Sequence, residues 1–372
     1  MNVGEGKNRM AALGNSPALR TNMGSRKKEH VEICLTEEVS GPRYWDDVCL
    51  VHNALPELNM GELDLSITLF GKRLRAPIII AGMTGGYPEA EEINRNLAEA
   101  AAECGVGMGV GSQRAALEDP SLASTFSVVK EYKVPLVIGN IGAPQLVRQG
   151  EKRPLGLEEL RKARKMVGAD VMAVHLNFLQ EVVEWDGDTQ ARGCLRAIDS
   201  LSKKMPIIVK ETGAGISREV GRRLLETSIA GVDVGGAGGT SFSAVEAYRA
   251  GKRGMRVRER IGSTFRDWGI PTPVSVLELR SLHRTLPIIA TGGIRTGLDC
   301  ARALALGASA AGIALPLLKP ATRGAGAVKE ELETLISELR AAMFLTGSAS
   351  VADMAKADYV LKGECALWAA RN

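Results

Sequence analysis

The sequence predicts a (β/α)₈ barrel, and three observations carry that prediction. Eight short aliphatic runs recur along the chain without the apolar–polar alternation of a half-exposed strand. Amphipathic stretches of helical length lie between them. The polar residues able to do chemistry gather directly after the runs. Runs without alternation suit parallel strands buried on both faces. Strand–helix alternation points to a parallel sheet, and eight units suffice to close it, with an open doubly wound sheet as the alternative.

Taken in order, the strands are expected at Pro77–Ala81, Gly105–Val110, Pro135–Gly139, Asp170–Leu176, Pro206–Lys210, Gly231–Gly235, Pro287–Thr291 and Ala308–Ala314. The second is weak and rich in glycine. Helical spacing of apolar residues marks Glu89–Cys104, where Ile93, Leu97, Ala100 and Ala101 share a face, and likewise Leu157–Val167, Ser217–Ser228, Val274–Arg284 and Thr296–Leu306. Two regions fall outside the count: residues 25–75 before the first strand, and residues 238–272 after the sixth, a length of loop that is usually functional or disordered. A long helix, Ala325–Met343, and a short polar tail close the chain. Residues 1–24, rich in Gly, Asn and Ser, read as a mobile N-terminal extension; residues 25–372 read as a single domain.

Bulk properties narrow the function. The 372 residues, 45% hydrophobic and 24% charged, are those of an ordinary globular protein, long enough for one barrel with insertions. A net charge of +4, with basic and acidic residues interleaved, argues against nucleic acid as a partner. No apolar run reaches the roughly 20 residues of a membrane span, and the N-terminus lacks a signal-peptide pattern. The six cysteines form no CxxC pair and no zinc-ligand spacing, so they read as reduced thiols in a cytoplasmic protein.

In such a barrel the active site lies at the carboxyl ends of the strands. Gly82-Met83-Thr84 follows the first strand, Ser112-Gln113-Arg114 the second and Asn140 the third. His175 and Asn177 end the fourth, with Gln180 and Glu181 beyond; Lys210 ends the fifth; Gly235–Ser241, which includes Thr240, follows the sixth; Gly292–Arg295 follows the seventh; and Ala314-Leu315 ends the eighth. Strand-end glycines also make tight turns with no ligand in view, but the loops after strands seven and eight are the usual phosphate site of the fold. Gly292-Gly293 before a helix starting near Thr296 would offer backbone amides and a helix dipole to a phosphate. The small residues Gly82 and Thr84 leave room for a flat ring. Lys210 is either a rim lysine snorkelling to solvent or a cation beside a flavin ring, stabilising its reduced, anionic form. Glu181 is a candidate Mg²⁺ ligand beside a diphosphate. Arg26 and Lys27, in the run Ser25–His30, are either a solvated surface run or a diphosphate clamp.

Together these motifs resemble type 2 isopentenyl-diphosphate δ-isomerase, the FMN-dependent form. The matching pieces are RKKEH at Arg26–His30, AGMTGG at Ala81–Gly86, GSQRAA at Gly111–Ala116, NIGAPQ at Asn140–Gln145, HLNFLQE at His175–Glu181, VKETGAGIS at Val209–Ser217, GGAGGTS at Gly235–Ser241 and ATGGIRTG at Ala290–Gly297. The resemblance implies that Arg26, Lys27, Ser112, Gln113 and Arg114 hold the substrate diphosphate. It implies that Gly82, Met83, Thr84, Ser112, Asn140, Lys210 and Thr240 contact FMN, and that Gly293, Ile294, Arg295, Ala314 and Leu315 hold its phosphate. His175, Asn177 and Gln180 would line the substrate pocket, with His175, Gln180 and Lys210 as catalytic residues and Glu181 binding Mg²⁺. The implied reaction interconverts isopentenyl and dimethylallyl diphosphate on reduced FMN, with NADPH as reductant, in a homotetramer or homo-octamer.

The rival enzyme class is an FMN oxidoreductase of the 2-hydroxy-acid oxidase or inosine-monophosphate-dehydrogenase type. The first carries a strand-end His-Gly-Gly-Arg, where this chain reads Gly-Gly-Ala-Gly-Gly, so the base is missing. The second needs a nucleophilic cysteine in the same part of the barrel, and residues 206–299 contain none. A non-catalytic flavin-binding protein would need neither HLNFLQE nor the Arg26-Lys27 pair.

Overall fold

Eight parallel strands close on themselves in the computed structural model, which describes residues 23–371. They are β1 (Ile78–Ile80), β2 (Gly107–Gly109), β3 (Val137–Gly142), β4 (Val171–His175), β5 (Ile207–Lys210), β6 (Gly231–Asp233), β7 (Ile288–Thr291) and β8 (Ala310–Ile313). Closure runs through β8 and β1, with Gly312 opposite Ile79, so the open-sheet alternative falls.

The absence of alternation in these strands has a direct cause. Ile79, Ile138, Ala173, Ile208, Ile289 and Ala310 point inward and pack on one another. Their neighbours Ile78, Ile80, Met172, Val174, Ile207, Val209 and Ile288 point outward and pack under the helices. Both faces are buried, so both are apolar. An antiparallel hairpin, Ile67–Leu69 and Lys72–Leu74, turns at Phe70-Gly71 with φ of 50° and 76°. It sends Leu69 and Leu74 into the interior cluster and closes the end of the barrel remote from the site.

The flanking helices fall where apolar spacing places them: Ala90–Cys104, Leu157–Val167, Arg218–Leu225, Thr272–Leu282 and Gly297–Ala305. Three expectations need correction. β3 runs on to Gly142, so Asn140 sits within a strand, facing inward, and not after it. Residues 238–272 are no irregular excursion but contain two packed helices, Phe242–Lys252 and Arg256–Thr264. The tail after the 21-residue helix Ala325–Leu345 is structured, and its strand Tyr359–Leu361 pairs antiparallel with Val48–Leu50.

Residues 25–75 supply helix α1 (Met23–Thr36), which already begins within the stretch expected to be mobile. The rest of that expected extension lies outside the described residues. Two further helices bear on the site: α2 (Phe178–Val183), directly after β4, and α3 (Phe242–Lys252).

Candidate functional site

Carrying the inward period one step past the apolar layer brings Asn140, His175, Lys210, Asp233 and Thr291 to the carboxyl end of the barrel. Above them opens a cavity of about 480 Å³. Every residue expected at the site lines it except Gln113.

On the cavity floor Lys210 Nζ donates to Asp233 Oδ2 at 2.8 Å, between residues paired in register across β5 and β6. The lysine is buried and paired, not snorkelling on the rim. His175 Nδ1 lies 2.8 Å from Asn140 Oδ1, while Asn140 Nδ2 donates to Val110 O at 3.1 Å. Burial, with Lys210 and Lys27 nearby, pushes the His175 pKa down to about 3. The ring is therefore neutral at physiological pH.

Gln113 is a correction. Its side chain turns away from the cavity, donates to Ala163 O at 2.8 Å and accepts from Asn140 N at 3.0 Å. It is fully buried and ties β3 to the neighbouring helix without lining the cavity.

One side of the cavity is a backbone cradle. Gly292 and Gly293 adopt φ of 122° and 74°, a region that side chains disfavour. A Cβ on Gly239 would come within 2.8 Å of Gly293 N, so the two loops touch through bare backbone. Trp45 Nε1 fixes the turn by donating to Gly292 O at 2.9 Å. Two of the first amides of the helix Gly297–Ala305 are bound within the chain, Gly297 N to Glu338 Oε2 at 2.6 Å and Asp299 N to Thr296 Oγ1 at 3.1 Å. Arg295 N and Thr296 N donate to Asp299 Oδ2 at 3.0 and 3.1 Å, a capping box within the chain. The amides of Gly293 and Ile294, just before, bind nothing among the described residues. The Arg295 guanidinium donates to Gly41 O and Gly238 O. Thr240 and the Ala314-Leu315 turn complete this side.

At the first strand the cavity wall passes through Gly82, where a Cβ would run into the Val110 carbonyl oxygen, so the chain lies hard against the neighbouring strand's backbone. Met83 and Thr84 continue it, Thr84 with its hydroxyl on Tyr87 Oη at 3.3 Å.

The opposite side is charged and comes from α1. Lys27 Nζ donates to Ser112 O at 2.5 Å and lies 5.0 Å from the centre of the Phe126 ring. Burial, with Arg26 and Arg114 close by, brings its pKa down to about 7. Arg26 donates to Glu184 Oε1 at 2.7 Å, and Arg114 to Asp188 Oδ2 at 2.7 Å. Glu181, on α2, accepts from Asp188 N at 2.5 Å through Oε2. Burial, reinforced by Glu184, raises the Glu181 pKa to about 7. Asn177, held at φ 54°, accepts from Thr212 Oγ1 at 2.8 Å and donates to Gln180 Oε1 at 2.9 Å. The run Arg26–Lys27 is thus no solvated surface.

With this geometry in view, comparison with known proteins is informative. A family profile described as FMN-dependent dehydrogenase matches residues 195–361. The isopentenyl-diphosphate delta-isomerase of Methanothrix thermoacetophila is 51% identical over 341 residues, 91% of this chain and 93% of that protein. Those of Methanosarcina barkeri and Archaeoglobus fulgidus are 48% and 46% identical over 91% and 92% of this chain, covering 92% and 97% of theirs. The chain belongs to the isopentenyl-diphosphate delta-isomerase family. A mandelate oxidase variant carrying an FMN adduct superposes with a TM-score of 0.60 at 17% identity, over 91% of this chain and 99% of that one. Mandelate oxidase with (S)-2-phenylpropionate gives 0.58 at 19%, over 91% and 97%. At that identity the likeness concerns the fold alone.

In this isopentenyl-diphosphate delta-isomerase family member, the residues that sequence reasoning missed are the partners of those it found. Glu246 on α3 accepts from Gln180 Nε2 at 2.9 Å and pairs with His30 Nε2 at 2.7 Å. Burial disfavours its charge, but His30 and Arg249 overcome that and hold its carboxyl well below the usual range. Arg249, fully buried, pairs with Glu246, Glu184 and Glu29 and stacks 4.5 Å over the Trp185 ring. Glu211 Oε2 accepts from the amides of Thr212, Gly213 and Ala214 and so sets the loop that presents Thr212 to Asn177. His30 stood in the quoted motif. The others carried only a faint signal, charged residues in otherwise apolar helices or after a strand.

Proposed function

We propose that the chain interconverts isopentenyl diphosphate and dimethylallyl diphosphate on reduced FMN, with Mg²⁺ on the diphosphate. The observation that carries this reading is one cavity with a cation wall of Arg26, Lys27 and Arg114 on one side and a bare-backbone cradle with Lys210 on the other. The family membership gives the reaction class.

The residues fit a flavin. Among the described residues the Gly293 and Ile294 amides have no partner and are open to a phosphate, and the Thr291 hydroxyl is buried without a partner. Reduced FMN would supply the proton donor and acceptor for the double-bond shift. Lys210 supports negative charge at that ring. Neutral His175 presents an unprotonated Nε2, and Gln180, oriented by Glu246 and Asn177, faces the same space. Arg26, Lys27 and Arg114 orient the diphosphate, which turns a bimolecular encounter into a positioned one.

The fit for Mg²⁺ is through Glu181, whose Oε1 has no donor among the described residues. No group of three or more ligating side chains occurs among the described residues. The ion would therefore take most of its ligands from diphosphate and water, as Mg²⁺ commonly does. NADPH as reductant, a homotetramer or homo-octamer, and a cytoplasmic location belong to the same proposal. Among the described residues no helix is long and apolar enough to cross a membrane.

The test is isomerisation of isopentenyl diphosphate by purified protein with FMN, Mg²⁺ and reductant under anaerobic conditions. Product formation that depends on FMN supports the reading. A yellow, FMN-bound protein with no turnover sinks it, and oxygen consumption or net NADPH oxidation with a hydroxy acid would move the chain to the oxidoreductases.

A further inference from the structure

We propose that Asp233 is a counter-charge that limits how strongly Lys210 stabilises negative charge on the bound flavin, a positioning residue that acts on the cofactor through the lysine. The inference rests on the FMN part of the reading above and not on the isomerase reaction.

Four observations combine. Lys210 and Asp233 are register partners on β5 and β6, and Nζ and Oδ2 are 2.8 Å apart. Their side chains are 10% and 7% exposed, so the pair is shielded from water. Lys210 lines the cavity and Asp233 does not. The second carboxylate oxygen, Asp233 Oδ1, is buried with no donor.

The last point decides the electrostatics. A carboxylate spread over several backbone amides, as Glu211 is, gives up its charge to many partners. Asp233 has one donor among the described residues, so its negative charge falls on Lys210. Packing does not demand an acid there: the layer beneath is Ile208 and Ile289, and a buried ion pair at such a place is costly to desolvate. In the floor His175 is neutral and Asn140 carries no charge; the other carboxylate that acts on Lys210 is Glu211, whose Oε2 is already held by three backbone amides. In a water-poor cavity a full opposite charge at this distance removes much of the field that the ammonium projects toward a ligand.

The consequence is a reduced flavin held less tightly than an unpaired lysine would hold it, and therefore more basic.

The test is the midpoint potential of FMN bound to the protein without substrate, measured by dye equilibration. Asp233→Asn keeps the shape and removes the charge. It is expected to favour reduced over oxidised FMN by at least tenfold, an upward step of about 30 mV for a two-electron couple. Asp233→Ser, which is smaller and also neutral, is expected to step in the same direction. The step should vanish when Asp233→Asn is made in a Lys210→Gln background. Unchanged or lower potentials in both single variants would overturn the proposal, and so would a step of the same size without the lysine. The measurement needs no turnover, so a chain that binds FMN but fails to isomerise leaves this result readable. A chain that takes up no FMN overturns both readings.

Discussion

His175 Nδ1 lies 2.8 Å from Asn140 Oδ1, and the amide nitrogen of the same asparagine is committed to Val110 O. That second bond fixes which end of the amide faces the ring. Asn140 can only accept from His175, so Nδ1 carries the hydrogen and Nε2 is the free lone pair in the cavity.

The first prediction concerns protonation. With a pKa near 3, His175 is expected to show no titration between pH 5 and 9 in ¹⁵N–¹H spectra, with Nδ1 as the protonated nitrogen throughout. An unfolded histidine titrates near 6.5. The folded pKa is depressed, so this group's contribution to stability is complete above about pH 6.5 and is lost as pH falls toward 3, by up to about 1.4 kcal/mol per pH unit. Asn140→Asp should bring the His175 titration back toward neutrality. A ring titrating near 6.5 in the unmodified protein would contradict the assignment.

Lys27 gives the second. Its pKa of about 7 means that the ammonium needed by a diphosphate is lost as pH rises through 7. The expected result is a kcat/KM that declines on the alkaline side with kcat less affected, because a bound diphosphate restores the charge. Lys27→Arg stays charged and should flatten that limb even where it lowers the rate. An alkaline limb unchanged in Lys27→Arg would assign it to another group.

The third concerns the metal. Burial raises the Glu181 pKa to about 7, and a metal ligand has to be ionised. Mg²⁺ affinity in the presence of a non-reacting diphosphate should fall as pH drops below 7, with proton release on binding seen as a buffer-dependent heat. Glu181→Gln is expected to weaken Mg²⁺ at least about tenfold while FMN binding is unchanged. Equal Mg²⁺ affinity in the two proteins would remove Glu181 from the metal site.

How much of this was legible in the sequence follows from what each residue touches. Strands buried on both faces advertise themselves, because Ile78, Ile79 and Ile80 are apolar whichever way they point. Cavity-lining residues such as His175 and Lys210 stood out as polar groups closing such runs. Gln113 was misread because neighbours in a turn point different ways: Ser112 and Arg114 reach the cavity, while Gln113 reaches back to Ala163. Asp233 was passed over in a strand expected to be apolar. The Glu246–His30 pair joins residues 216 positions apart, and no local period reports such a contact. The helices within 238–272 were lost to their abundance of Gly, Arg and Ser.

Arg249 supports the last prediction. It is fully buried and answers three carboxylates, Glu29 on α1, Glu184 after α2 and Glu246 on α3. Through Glu184 it also meets Arg26, so α1 is seated on the barrel by this charge network as well as by the apolar packing of Ile33 against Val245. Arg249→Met keeps much of the volume and the contact with Trp185 but leaves the carboxylates without their shared partner. Removing one member of a buried ion pair typically costs about 3–5 kcal/mol, and that loss should appear as a lower thermal midpoint. Because the carboxylates then hold α1 less firmly, Arg26 and Lys27 should also be misplaced. The expected result is a KM for the diphosphate raised more than FMN affinity is weakened, with faster proteolysis within residues 23–36. A variant with a lower midpoint but unchanged KM and unchanged cleavage would show that the network stabilises the barrel without seating α1.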